Sequence, residues 1–411
     1  MYYKMIDLLP LEIFEAALAT VVRYLYALSW LLQIAMRGVG KKEGGFKVLR
    51  SRIVLRYFLV FLTLIVGVTL TFEAVHPSFA QHATTKAVTA TDFYVPSGID
   101  PWGTTFDSSG NVWLAVPGCN PSPTCSTNTP PGKIEIFNPS SSSWTQTLQL
   151  PSGYAQALFL AFDKKGRLWF PAPMSNALEM YNPTNHTFHK WTVPTPNALP
   201  WDVAIDHQGK VWFTEHASNK IGRFDPATHT FTEIATPASN SMPYGITVDA
   251  NNNIWFTENN SSVALIAKYT STGKLLEYKI RNTISSALTP HLITVDHNGN
   301  IWWSEGFAAA IGELNVAKAV PGTNKGVSEY FYPLSCNTCG THTSGISVDS
   351  NGNVWFDDSN QSIFGSFPVS GTGSFSTYNT PTTNSHPHDG LNVDGQNRIW
   401  FDEEFANKLA S

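Results

Sequence analysis

One short pattern recurs seven times along the chain: GNVWLAV, GRLWFPA, GKVWFTE, NNIWFTE, GNIWWSE, GNVWFDD and NRIWFDE, centred on Trp113, Trp169, Trp212, Trp255, Trp302, Trp355 and Trp400. Successive tryptophans lie 56, 43, 43, 47, 53 and 45 residues apart. Six residues before each stands an aspartate (Asp107, Asp163, Asp206, Asp249, Asp296, Asp349 and Asp394). Three before it stands a residue that tolerates positive φ (Gly110, Gly166, Gly209, Asn252, Gly299, Gly352 and Asn397). Asp followed at that offset by Gly or Asn is the chemistry of a tight hairpin turn. Around the turn each unit reads as four strands, a to d, of the types GITVD (245–249), VWFTE (211–215), KIGRFDP (220–226) and FTEIATP (231–237). Strand b is apolar on both faces, which suits a sheet covered on both sides. Units of this length with four short strands are propeller blades, which bury their faces only against their neighbours.

The seventh unit stops at Ser411 after a short strand c, Lys408-Leu409-Ala410. Residues 88–96 (VTATDFYVP) have the pattern of a strand d with no blade before them. The expectation is an all-β, seven-bladed β-propeller of four-stranded blades, closed by that N-terminal strand so that no sheet edge is left free. One ring over residues 81–411 then replaces the two or three domains that 411 residues would otherwise suggest. Residues 1–80 hold 9 of the 26 basic and 5 of the 31 acidic residues, so the ring carries a net charge of −9. A phosphate-backbone binder needs a basic face, so nucleic acid is not an expected partner.

Residues 1–80 read as an N-terminal targeting region. The stretch 41–56 is basic, 57–72 (YFLVFLTLIVGVTLTF) is uncharged and apolar, and Ser78-Phe79-Ala80 places small residues before a cut at Gln81. This is the three-part pattern of a signal peptide, with a retained membrane anchor as the alternative. Residues 1–35 are either part of this region or an over-called start, with Met36 the initiator. Either way the ring is expected to be secreted or extracytoplasmic, touching a membrane only through this segment, and monomeric. Cys119 with Cys125, and Cys336 with Cys339, are then expected as local disulfides. A zinc site built on Cys336-x-x-Cys339-x-x-His342 is the alternative for the second pair.

Strands a and b are antiparallel, so the start of a and the end of b share one face of the ring. Eleven residues before each repeat tryptophan stand Trp102, Leu158, Trp201, Tyr244, His291, Ser344 and Asp389. Three after it stand Val116, Ala172, Glu215, Glu258, Glu305, Asp358 and Glu403. Both sets are expected to rim one mouth of the channel. Trp102, Trp201, Tyr244 and His291 would line a substrate-binding wall there. The plainer account is that aromatics seal the inner edges and acids cap backbone N–H groups. Four histidines (His291, His342, His386 and His388) fall on this face beside Glu403 and Glu404. Neutral imidazole with carboxylate holds a divalent ion or acts as a general base, although a lone loop histidine is more often only solvated. His388 and Glu404 are expected in exposed loops, and His291 two blades away from His388.

The stretches PYGITVD (243–249), IWFTE (254–258) and NKIGR (219–223) resemble the virginiamycin B lyase (streptogramin lyase) family. The resemblance extends over residues 88–411. It implies a Mg²⁺-dependent enzyme that opens cyclic type B streptogramins by elimination at an ester. It further implies His388 as the catalytic base, because Pro387-His388-Asp389-Gly390 matches the family's Pro-His-Gly with one residue inserted. Glu404 matches a metal-site glutamate, and His386 stands where the family has a second one. Thr343-Ser344 replaces a family Pro-His in blade six, while Pro290-His291 has that form one blade early. Three functions follow as expectations. They are a carbon–oxygen lyase using His388 with Mg²⁺ on Glu404 and His386, a non-catalytic binding propeller, and a propeller lactonase or other metal hydrolase. In each the ligand is a small molecule or cyclic peptide held at one mouth.

Overall fold

The computed structural model describes residues 88–411, apart from 97, 120–124, 126–130 and 281–288. The targeting region expected over 1–80 lies outside the described residues. Among those described, no helix is long and apolar enough to cross a membrane.

The described residues form seven four-stranded antiparallel sheets. Six are consecutive in sequence, and the seventh is made from both ends of the described chain. Its fourth strand, Asp92–Tyr94, pairs with Lys408–Ala410 in the register Asp92↔Ala410, Phe93↔Leu409 and Tyr94↔Lys408. The side chains reinforce the closure. Lys408 Nζ donates to Asp92 Oδ2 at 2.6 Å and to Thr382 Oγ1 at 2.8 Å, and Thr382 Oγ1 donates to Asp92 Oδ2 at 2.9 Å.

One arrangement repeats at every a–b turn. The aspartate Oδ1 accepts the backbone N–H groups two and four residues on, and Oδ2 accepts the indole N–H of the repeat tryptophan. In blade four the distances are 2.9 Å from Asn251, 2.8 Å from Asn253 and 2.8 Å from Trp255 Nε1 to Asp249. The indole bonds of the other six blades span 2.9–3.0 Å. The turn also needs a left-handed residue three before the tryptophan. Gly209 at φ 77° and Asn252 at φ 60° show that either of the two tolerant residue types serves. Burial alone would raise the carboxyl of Asp249, but the indole and the turn donors outweigh it and hold it below the usual carboxylate range.

The tryptophans and the residues beside them fill the space between blades. Strand b is buried along its whole length in blades one to five, for example Val211–Glu215 and Ile254–Glu258. Strand d is half exposed, as in Thr230–Ala235. A second device joins neighbouring blades near the mouth. Thr214, Thr257 and Ser304, two residues after their repeat tryptophans, donate to the strand-a carbonyls of Tyr244, His291 and Ser344 in the next blade at 2.7, 2.6 and 2.6 Å. Each hydroxyl oxygen also accepts a strand-a N–H of its own blade, from Asp202, Gly245 and Leu292.

Both cysteine pairs are bonded, Cys119 to Cys125 and Cys336 to Cys339, which leaves no thiolate for the zinc alternative.

The closure gives a direct test. A chain beginning at residue 100 lacks the fourth strand of blade seven and leaves Lys408 without Asp92. It should melt several degrees lower than the ring beginning at residue 81, or aggregate through the open edge. Equal melting temperatures by scanning calorimetry would show that the ring does not depend on this strand.

Candidate functional site

The side chains at the mouth are placed by an irregularity in strand a. In blades three to six the a–b register shifts just after the first residue, between Pro200 and Val203, Pro243 and Ile246, Pro290 and Ile293, and Thr343 and Ile346. A bulge of this kind re-aims the extra residue. Here it turns Trp201, Tyr244, His291 and Ser344 inward, where all are buried. Below them a cavity of about 240 Å³ is lined by strand-a residues of all seven blades, among them Asp202 and Asp389.

Asp389 is the centre of the cluster. Its carboxylate accepts Tyr244 Oη–H at 2.6 Å and Ser344 Oγ–H at 3.1 Å. It lies 3.2 Å from His291 Nε2 and 3.7 Å from His388 Nδ1. Burial opposes ionisation here. The adjoining His388 and His291 and the hydrogen bond from Tyr244 outweigh it and hold the Asp389 carboxyl well below its usual range. Four blades thus meet on one carboxylate, and His291 and His388, expected to lie apart, share it.

His388 packs edge-on against Trp102, with ring centroids 4.5 Å apart. Its ring lies 5.3 Å from His342 and 5.5 Å from His386. Burial holds its imidazole below the ordinary histidine range, against the pull of Asp389 and Glu404. His342 is pushed down further, by burial and then by His291 and His388. The rest of the aromatic wall follows in order. Tyr244 stacks on His291 at 4.0 Å, and Trp201 lies 5.3 Å from Tyr244. His216 closes the arc, 5.5 Å from Trp201. The sequence reading missed His216. It stands four residues after Trp212, the offset of Glu404 from Trp400, and comparing the repeats at that column would have found it.

His388 and Glu404 are buried, not in exposed loops as expected from their position between strands. The chain after strand b of blade seven makes a short 3-10 turn, Glu404–Ala406, that folds back on the segment before strand a. Glu404 N donates to His386 O at 3.2 Å and Phe405 N to Ser385 O at 2.9 Å. This brings His386 Nδ1 to 2.8 Å from Glu404 Oε2. Glu403, expected beside the histidines, instead accepts Thr382 N–H at 2.9 Å. Of the other strand-b acids, Glu215 and Glu305 bond within their own blades, to Ser218 and Trp303. Burial raises these two carboxyls to about 7 and about 8.

The residues present do not make a Mg²⁺ site of their own. Mg²⁺ demands oxygen ligands in octahedral array, and imidazole suits other metals. His386 and Glu404 offer one carboxylate and one imidazole, already bonded to each other. Among the described residues no three His, Cys, Asp or Glu side chains converge to hold a metal ion.

Two further acids belong to the site. In blades six and seven the interblade hydroxyl is replaced by Asp357 and Asp402. As the hydroxyls do, their Oδ1 atoms accept a strand-a N–H, from Gly345 at 2.7 Å and Gly390 at 3.0 Å. Their Oδ2 atoms are buried without a partner. Burial above all pushes both carboxyls well above the usual range. Each carboxyl thus holds the strand-a backbone of its own blade, as the hydroxyls of blades three to five do. Asp357→Asn, which keeps the acceptor for Gly345 N–H, should therefore leave the melting temperature unchanged. Asp357→Ala should cost about 1–3 kcal/mol, the scale of a buried group left unpaired. If chemical denaturation finds Asp357→Asn as damaging as Asp357→Ala, acceptance of the Gly345 N–H is not what Asp357 contributes and this account of it fails.

No curated protein matches the chain by sequence. The sequence profile of the Virginiamycin B lyase family matches residues 143–411. Among solved structures, a streptogramin B lyase is similar at a TM-score of 0.66 and 24% identity, over 78% of this chain and 96% of that one. A catalytically inactive histidine-to-alanine variant of virginiamycin B lyase from Staphylococcus aureus, with quinupristin, is similar at a TM-score of 0.65 and 23% identity, over 78% and 98%. The WD40 repeats of RRP9 reach a TM-score of 0.59 at 8% identity, over 78% and 96%. At these identities the likeness is one of fold.

Proposed function

The chain belongs to the virginiamycin B lyase family, and on that premise we propose that it is a carbon–oxygen lyase that opens a cyclic ester by elimination, with His388 as the base. The observation that carries this reading is the pairing of a buried, uncharged imidazole with an ionised carboxylate at its Nδ1 side. A carboxylate there favours the tautomer with the proton on Nδ1 and leaves the lone pair on Nε2. The separation of 3.7 Å is longer than a hydrogen bond, as is common in sites without substrate.

In the reaction His388 Nε2 removes a proton from the carbon adjacent to the one bearing the ester oxygen. The C–H electron pair forms a carbon–carbon double bond as the C–O bond breaks, and the leaving group departs as a carboxylate. Asp389 stabilises the imidazolium that results, and the proton passes to solvent. The product is an isomer of the substrate. Burial pushes the carboxyls of Asp357 and Asp402 well above the usual range, while the groups around Asp389 hold its carboxyl well below it, so the charge that balances the imidazolium is favoured at Asp389. Trp102, Trp201, Tyr244 and His291 supply the aromatic wall for the substrate ring. The bonded cysteine pairs support an oxidising, extracytoplasmic place of action.

A second reading, a binding propeller without catalysis, is favoured by the closed His386–Glu404 pair, which no third metal-binding side chain joins among the described residues.

Assay against quinupristin, the ligand of the Staphylococcus aureus structure, tests the first reading. His388→Ala should lower kcat/KM by about 10²-fold or more, the scale of a positioned base. The pH profile carries the sign of the shift. A base with its pKa lowered below 6.5 is active above that value, and kcat/KM should fall only as pH drops through the lowered pKa. A profile requiring a base above pH 7, or His388→Ala with native turnover, would remove His388 from this role.

A further inference from the structure

We propose that Phe307 and Phe405 form a two-point clamp that grips apolar or aromatic side groups of a cyclic ligand, and so select large rings over small polar lactones. The inference rests on the lyase reading for the nature of the ligand and goes beyond it in naming what sets the ligand's class. These two phenylalanines are 62% and 69% exposed at the mouth face, although large apolar side chains elsewhere in the ring are mostly buried. Each stands five residues after its repeat tryptophan, in blades five and seven. The other blades place Gly118, Met174, Ala217, Asn260 and Asn360 at that column. The aromatic residues therefore flank blade six, which supplies His342 and Ser344 to the site.

Neither ring floats free. Phe405 lies flat on His386, with centroids 4.2 Å apart and planes 8° from parallel. Phe307 lies on His342 at 5.6 Å and 13°. Between them His342 meets His388 at 5.3 Å, and His388 stacks on His386 at 5.5 Å and 12°. Five rings thus run without a break from one rim to the other, with the proposed base in the middle. An imidazole covers one face of each phenyl ring and leaves the ring largely open to solvent. Such a ring is already ordered, so a ligand that covers it gains apolar burial with little loss of side-chain freedom. Exposed apolar surface of this kind, continuous with a polar cluster, marks a binding surface. The platform offers the open faces of two phenyl rings, each backed by an imidazole.

Isothermal titration calorimetry with quinupristin reads the clamp without requiring turnover. Phe307→Ala and Phe405→Ala should each raise Kd about tenfold, from the apolar area that the ligand no longer covers. The double variant should also show a smaller negative heat-capacity change on binding. Phe307→Trp and Phe405→Trp should bind as the native protein does, and all variants should melt like it because both side chains are exposed. In steady-state assays the loss should appear in KM more than in kcat. Alanine variants that bind within twofold of native would overturn the clamp. A native protein that does not bind quinupristin would overturn it too, while turnover of another cyclic ester would still uphold the lyase. Binding that weakens as stated, without turnover of any cyclic ester, would uphold the clamp and remove the lyase.

Discussion

The ring depends on a hydrogen bond made seven times, from the indole N–H of a strand-b tryptophan to the aspartate of the preceding a–b turn. That bond does two things together. It satisfies the single polar atom of the largest side chain in the blade interface, so the indole can be buried without an unpaired donor. It also locks the hairpin that sets the register of strands a and b, because the same carboxylate holds the backbone of the turn. With the turn face fixed in every blade, variation is free to accumulate at the opposite face. That is where the repeat loses its regularity and the ionisable side chains collect.

The site follows from this division. In blades three to six the register shift at the start of strand a tips one side chain each toward the axis, and the residues so placed differ from blade to blade. Their chemistry becomes useful through Asp389, which draws Tyr244, Ser344, His291 and His388 onto one charge. A buried carboxylate with several donors stays ionised, and a buried imidazole with few stays neutral. In the proposed reaction this combination supplies a base for the proton and a counter-charge for the imidazolium that results. The interblade hydroxyls and their acidic replacements, Asp357 and Asp402, hold the backbone on which these side chains stand.

Much of the fold was legible because it is written as repetition. The tryptophan spacing announces the blades, and the orphan strand pattern at 88–96 announces the closure, since an unpaired strand and a blade one strand short must meet. The rim of the mouth was legible as well, from antiparallel geometry alone. The role of Asp389 was not, because its main partner, Tyr244, is 145 residues away and no local pattern links them. Burial of His388 and Glu404 was hidden for a different reason: it depends on the short turn at Glu404–Ala406 folding back, which residue types do not dictate. Asp357 and Asp402 lie between these cases. Read along the chain they are two more acids, but read down the column of Thr214, Thr257 and Ser304 they take over the acceptance of a strand-a N–H.

The central claim is that the mouth breaks a carbon–oxygen bond by removing a proton, with no water entering the product. Elimination and hydrolysis both open a cyclic ester to a free acid, so loss of the ring alone does not separate them. Mass spectrometry of the product formed from quinupristin in ¹⁸O-labelled water does so directly. The account requires a linear product of the same mass as the substrate, carrying no label and one new carbon–carbon double bond. A product heavier by one molecule of water, with ¹⁸O in the new carboxyl or hydroxyl group, would contradict it and make the site a hydrolase.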